Sequence, residues 1–117
     1  MEIADLRDHG MAKRGTSDGY PFGPGALVLK VRGKMFALIA EDEDPLRVSL
    51  KCEPELAESL SASHPAVEPG YHLNKRHWIT VTLDGSVDAE VLGWMDDSYD
   101  LVVDRLPRRD QAGLRDA

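Results

Sequence analysis

Ala26-Leu-Val-Leu-Lys-Val-Arg-Gly-Lys-Met-Phe-Ala-Leu-Ile-Ala40 is the stretch on which the fold turns. Its two β-rich runs, Ala26 to Arg32 and Met35 to Ala40, flank Gly33-Lys34, and a two-residue loop with glycine first suits a turn whose first central residue has positive φ. A tight hairpin is predicted. After the acidic loop Glu41-Asp-Glu-Asp44-Pro45, the segment Leu46 to Lys51 alternates strictly, with Leu46, Val48 and Leu50 on one side and Arg47, Ser49 and Lys51 on the other. That is a half-buried strand. Trp78 to Leu83 alternates in the same way, at the end of a strand-like stretch beginning at Tyr71 with a polar middle at Asn74-Lys75-Arg76.

Helices surround this sheet. Ile3, Leu6 and Met11 recur at helical spacing, which predicts a helix over residues 2–13 interrupted at Gly10. Arg14 to Gly19 is read as a loop, and Tyr20-Pro-Phe-Gly-Pro-Gly25 as an extended, turning segment. Pro54 opens a helix running to about residue 61, with Glu53, Glu55 and Glu58 near its positive end. The clearest helix carries Val91, Leu92, Met95, Tyr99, Val102, Val103 and Leu106, capped by Ser86 or Asp88 and ended by Leu106-Pro107. The tail from Arg108 is expected to fray. The sum is an α+β two-layer sandwich, an antiparallel sheet with helices packed on one face, in a single domain spanning 1–117 with its core over residues 2–107. Leu27, Leu29, Val31, Val48, Ile79 and Val81 would face the helices. Lys30, Arg32, Arg47, Lys51, Trp78, Thr80 and Thr82 would form an open, wet face.

Composition bounds the function. The chain has 117 residues, of which 42% are hydrophobic and 30% charged, which excludes fibrous or wholly disordered classes. Its longest apolar run, Met35 to Ala40, falls far short of the ~20 residues of a bilayer span, so no membrane partner is expected. Acids at the N-terminus argue against a secretory leader, and the cytoplasm is the expected address. One cysteine, Cys52, cannot form an internal disulfide. The net charge of −7 argues against a polyanion partner, but the charges are segregated. No acid lies between Gly19 and Ala40 or between Pro69 and Leu83, while seven acids and no base occupy residues 84–104. Two zones of opposite sign are implied.

Three groups carry candidate chemistry. Tyr71-His-Leu-Asn-Lys-Arg-His-Trp78, beside the basic sheet face, interleaves cations for phosphate with aromatics for bases, as nucleic-acid binding requires. The plainer reading is ordinary solvation of a wet sheet face with Trp78 at the core edge. Asp96, Asp100 and Asp104, four apart with Asp97 beside them, offer carboxylates to a divalent or iron cation, or simply form the solvated side of an amphipathic helix. His72 and His77 as acid and base, and Cys52 beside Lys51 as nucleophile, are the elements of an enzyme. Nothing in the sequence completes a catalytic set, so no enzyme activity, catalytic residue, metal or cofactor is expected.

Tyr20-Pro-Phe-Gly-Pro-Gly25, Val31-Arg-Gly-Lys-Met-Phe-Ala37, Leu50-Lys-Cys-Glu-Pro54, Pro69-Gly-Tyr-His-Leu-Asn-Lys-Arg-His-Trp78 and Ser98-Tyr-Asp-Leu-Val102 resemble, in order and spacing, the signature segments of the MmcQ/YjbR family of small bacterial proteins. The resemblance covers roughly residues 2–107. It implies a fold like that of CyaY, the bacterial frataxin, and a non-enzymatic DNA-binding role through a double wing of strands and loops. The matching contact positions are Lys34 at the hairpin tip, Lys51, His72, Asn74, Lys75, Arg76, His77 and Trp78; on the residues themselves, Trp78 or Tyr71 is the ring expected to stack. Binding would be weak and salt-dependent, by a monomer or weak homodimer. The alternative is a protein-interaction or metal-handling module that uses the acidic C-terminal helix.

Overall fold

The computed structural model describes residues 1–70 and 73–114. Among the described residues, four helices and six strands follow in the order α1 Ile3–Met11, β1 Thr16–Gly19, β2 Ala26–Val31, β3 Lys34–Ala40, β4 Arg47–Lys51, α2 Pro54–Ser63, β5 Val67–Pro69, β6 Trp78–Thr82, α3 Asp88–Asp104 and α4 Arg108–Gln111. The strands form one antiparallel sheet in the order β1-β2-β3-β4-β6-β5. No helix among the described residues is long and apolar enough to cross a membrane.

The core follows from alternation. Leu27, Leu29, Val31, Ile39, Val48, Leu50, Ile79 and Val81 all point to the helix side and are buried against Val91, Met95 and Val103 of α3. The register slips between Leu29 and Lys30, which pair with Ala37 and Met35, so Phe36 has no residue opposite it. This bulge turns Phe36 into the core, where its ring meets Tyr99 edge-on at 5.4 Å. Gly10 does not interrupt α1. It is buried where the helix crosses the sheet, and a Cβ there would stand 2.5 Å from Leu29 Cδ1. The missing side chain is what permits the close approach.

One polar residue fastens the two layers. The β3–β4 ladder stops at Ala37 and Leu50, and beyond it the hydroxyl of fully buried Ser98 donates to the Phe36 carbonyl (2.6 Å) and accepts from the Lys51 amide (2.8 Å). A single side chain from α3 thus satisfies backbone groups of two strands that no longer reach each other.

Several elements differ from the sequence expectation. The hairpin turn is Arg32-Gly33, one residue earlier, because Val31 pairs with Lys34 and both turn residues have positive φ, 48° and 82°. A two-residue turn with positive φ at both positions matches the right-handed twist of the flanking strands, as the expected turn with one such residue also would. Arg32 is held in that conformation by distant partners: its amide donates to the Gly15 carbonyl and its guanidinium to the carbonyls of Asp110 and Ala112. Those contacts also dock residues 108–114, with Leu114 buried, where a frayed tail was expected. The supposed loop at Arg14 to Gly19 contains edge strand β1, and β5 supplies the opposite edge. Leu73 to His77 is a turn segment rather than strand, and Tyr71 and His72 lie outside the described residues.

The open face is also drier than expected. Trp78 is 8% exposed, and Ser49 and Thr80 share a buried hydrogen bond of 2.8 Å. Arg47 pairs with Glu68, and Arg32 has left the face for the turn. Strand alternation sets which side a residue faces, but not what the segments carrying Phe22 and Leu73 do above it.

Candidate nucleic-acid interface

The antiparallel order brings the β2–β3 turn, the end of β4, the start of β6 and the end of β5 to the same end of the sheet. The last turn of α3 arrives there too. Lys34, Lys51, Trp78 and Arg105 surround one hollow of about 330 Å³ floored by Met35 and Val102. Lys51 and Trp78 are direct cross-strand partners, and Lys51 Nζ lies 5.6 Å from the centre of the indole ring. Cation and ring therefore form one surface.

The charged residues lining this hollow are all cations, while Lys51 also borders the groove lined by Glu53, Asp97, Asp100 and Asp104. The Lys51 ammonium is held below the usual lysine range, first by burial and then by the positive charge of Arg105, with Glu53 pulling the other way. Arg105 itself lies 3.6 Å from Glu53, an exposed pair worth little in water. An incoming anion would relieve the crowding of two cations. Arg105 was not anticipated from sequence. Its signal is a cation just past the C-terminus of α3, where it also complements the helix dipole, but its meeting with Lys34 depends on where the helix ends over the sheet.

The remaining expected residues are placed differently. Asn74, Lys75 and Arg76 lie on the neighbouring turn: the Arg76 amide donates to Asn74 Oδ1 (2.9 Å), and Lys75 Nζ reaches the Gly70 carbonyl (3.4 Å). Lys75 and Arg76 line a second hollow beside α2, with Pro54, Ala57 and Glu58. His77 is half-buried, and its carbonyl accepts from the Cys52 amide. The two cation groups therefore line separate hollows at one end of the sheet rather than one continuous flat face.

Cys52 is buried, and the aspartates of α3 part to two sides. Cys52 is 5% exposed, and burial, followed by Asp97 and Glu53, pushes its thiol up to about 11, so it is protonated at neutral pH. Asp96 turns toward α1, where it accepts from His9 Nε2 (2.7 Å) and pairs with Lys13 Nζ (2.6 Å). Burial raises its carboxyl, but these two hydrogen bonds and the charge of Lys13 outweigh that and hold it below the usual range. Asp97, Asp100 and Asp104 instead rim a groove of about 260 Å³ between α2 and α3, over Leu56, Leu60, Trp94 and Leu101. The four-residue spacing thus does not make a single ligand face. Among the described residues no three His, Cys, Asp or Glu side chains are grouped so as to hold a metal ion.

Comparisons with known proteins agree with this architecture. The YjbR family model matches residues 11–101. The chain is 43% identical over 108 residues to the uncharacterized protein YjbR of Escherichia coli (strain K12), covering 92% of each. It is 38% identical to the uncharacterized protein YbdF of Escherichia coli O157:H7, over 82% of this chain and 80% of that one. Among solved structures, the Deinococcus radiodurans protein DR2400 superposes with a TM-score of 0.88 at 38% identity, covering 99% of this chain and 96% of that one. A Pseudomonas syringae protein superposes at 0.73 and 32% identity, over 86% and 98%. With most of its length matched in both sequence and fold, the chain belongs to the YjbR family.

Proposed function

We propose that this chain is a non-enzymatic module that holds the phosphate backbone of a nucleic acid at the basic end of its sheet. One observation carries the reading: Lys34, Lys51 and Arg105 face a single hollow, with Trp78 in its wall. Lys75 and Arg76 extend the positive surface along the adjoining turn. Backbone contact needs cations at phosphate spacing and little else, which suits an irregular pair of hollows better than base reading would. Trp78 is too buried, and too closely covered by Lys51, to stack a base without rearrangement. Binding therefore depends mainly on charge. Because the whole molecule carries −7, attraction is confined to short range, within a Debye length of ~8 Å at physiological salt.

Fluorescence anisotropy with labelled duplex and single-stranded DNA tests this. Contact with about four phosphates gives a slope near −3.6 in log affinity against log salt. Absence of binding at low salt, or binding unaffected by Lys34→Glu with Lys51→Glu, removes the proposal.

A second reading is favoured by the acid-rimmed apolar groove between α2 and α3, where Leu56 is 41% exposed. Asp97 is raised by burial and then by Asp100 and Asp96, a crowding that a cationic partner segment would relieve. Calorimetry with a lysine-rich amphipathic peptide tests this reading: saturable binding lost in Asp97→Asn with Asp100→Asn supports it, and no binding at low salt, or binding of calcium or ferrous ions in its place, removes it.

A further inference from the structure

Another concavity lies on the sheet face away from the helices, toward the acidic end, and takes no part in the proposed backbone contact. Ala26 pairs with Ala40, and Ser49 with Thr80, so small side chains stand next to one another across the sheet. The result is a trough of about 590 Å³ between Phe22 on one wall and Leu73 on the other. That volume lies within the roughly 300–1,000 Å³ of small-molecule sites. Its lining is mainly apolar, and Phe22 is 67% exposed, the largest exposure among the described large hydrophobic residues. An aromatic ring held out over an apolar trough is surface that a ligand would cover.

The charge at the rim selects the ligand. Arg47 is there, but Glu68 already neutralises it. Glu43 adds a negative charge, within the run Glu41-Asp-Glu-Asp44 that makes this end of the molecule acidic. An anion would be repelled here, and a neutral ligand would leave the Glu43 carboxylate to water. We propose that the trough binds a small organic cation with a flat apolar body, of the arylalkylamine class. Its ring lies over Ala26 and Ala40 against Phe22, and its ammonium meets Glu43. Electrostatic attraction between the ammonium and the face of Phe22 contributes as well.

Three indoles that differ only in the charge of the side chain test this: tryptamine, 3-methylindole and indole-3-acetate, titrated into 15N-labelled protein and followed by amide shifts. Tryptamine is expected to move the amides of Leu38, Ala40, Ser49 and Thr80 with a Kd of about 1 mM or tighter, the scale for a ligand of this size. Indole-3-acetate is expected to bind at least about fivefold weaker, in line with one unfavourable charge contact. Glu43→Gln should bring tryptamine down toward the affinity of 3-methylindole, with the remaining difference due to Phe22, and Ala40→Leu should abolish binding of all three by filling the trough. Phe22→Ser, at an exposed position, should weaken all three and serves if Ala40→Leu fails to fold. The proposal is overturned if tryptamine shifts none of these amides at about 10 mM, a concentration that would detect even feeble binding. Equal affinity for indole-3-acetate, or indifference to both Glu43→Gln and Phe22→Ser, also overturns it.

Discussion

The two ends of the sheet are built from the same strands yet differ in charge, for cations gather at one, beside the acidic groove of α2 and α3, and carboxylates rim the other. At one end the β2–β3 turn, the end of β4 and the last residue before Leu106 present Lys34, Lys51 and Arg105. At the other, the β3–β4 loop and the turn after β6 present Glu41, Glu43, Asp44 and Asp84, beside Glu2. Net charge averages the two and misrepresents both. In an antiparallel sheet, residues far apart in sequence share an end whenever the chain between them crosses the sheet an even number of times, as it does twice between Lys34 and Lys51, so charges distant in sequence can gather at one end.

The largest expected effect tests that polarity directly. Lys34→Glu with Lys51→Glu should weaken DNA binding about 100-fold at low salt and flatten the salt slope by about 1.8, two contacts' worth, measured by anisotropy with circular dichroism to check folding. Next is the clamp that keeps the basic end attached to α3. Ser98→Ala leaves the Phe36 carbonyl and the Lys51 amide buried without their partner, and should cost about 2–3 kcal/mol in urea unfolding. Faster amide exchange at Lys51 than at Arg47 would locate that loss at the basic end.

The third prediction concerns pH. The folded-state thiol of Cys52 titrates near 11, above its unfolded value, so unfolding releases a proton as pH rises between the two. Stability should be complete below about pH 8.5 and fall by about 2 kcal/mol by pH 10.5, a loss absent from Cys52→Ala. Denaturant melts across that range measure it, and slow reaction with an aromatic disulfide at pH 7 is the companion result. The smallest effect is expected at the acidic end. Glu90→Lys, on the exposed first turn of α3, should change DNA affinity by less than about threefold. A change as large as that from the Lys34 and Lys51 pair would break the comparison.

Legibility in the sequence followed the range of the forces involved. Alternation over Ala26 to Ala40, Leu46 to Lys51 and Trp78 to Leu83, and the helical repeat from Val91 to Leu106, are local signals, and they placed most of the core on its correct side. Elements held by remote partners were not legible. Thr16 to Gly19 is polar and becomes a strand only because β2 offers an edge, and the turn sits at Arg32 because carbonyls nearly eighty residues away fix its guanidinium. The candidate site divides in the same way. Lys34, Lys51 and Trp78 could be placed from strand ends, whereas Arg105 required knowing how far α3 runs over the sheet. Lys75 and Arg76 belong to a turn whose path the sequence pattern read as strand.

The brevity of the sheet's margins has a further consequence. β1 has four residues and β5 three, and β5 ends in Pro69, which has no amide hydrogen to offer. A sheet bounded this way gives a stray strand too few open hydrogen-bonding positions to add itself, so crowding in a concentrated solution should not drive one copy to extend the ladder of another.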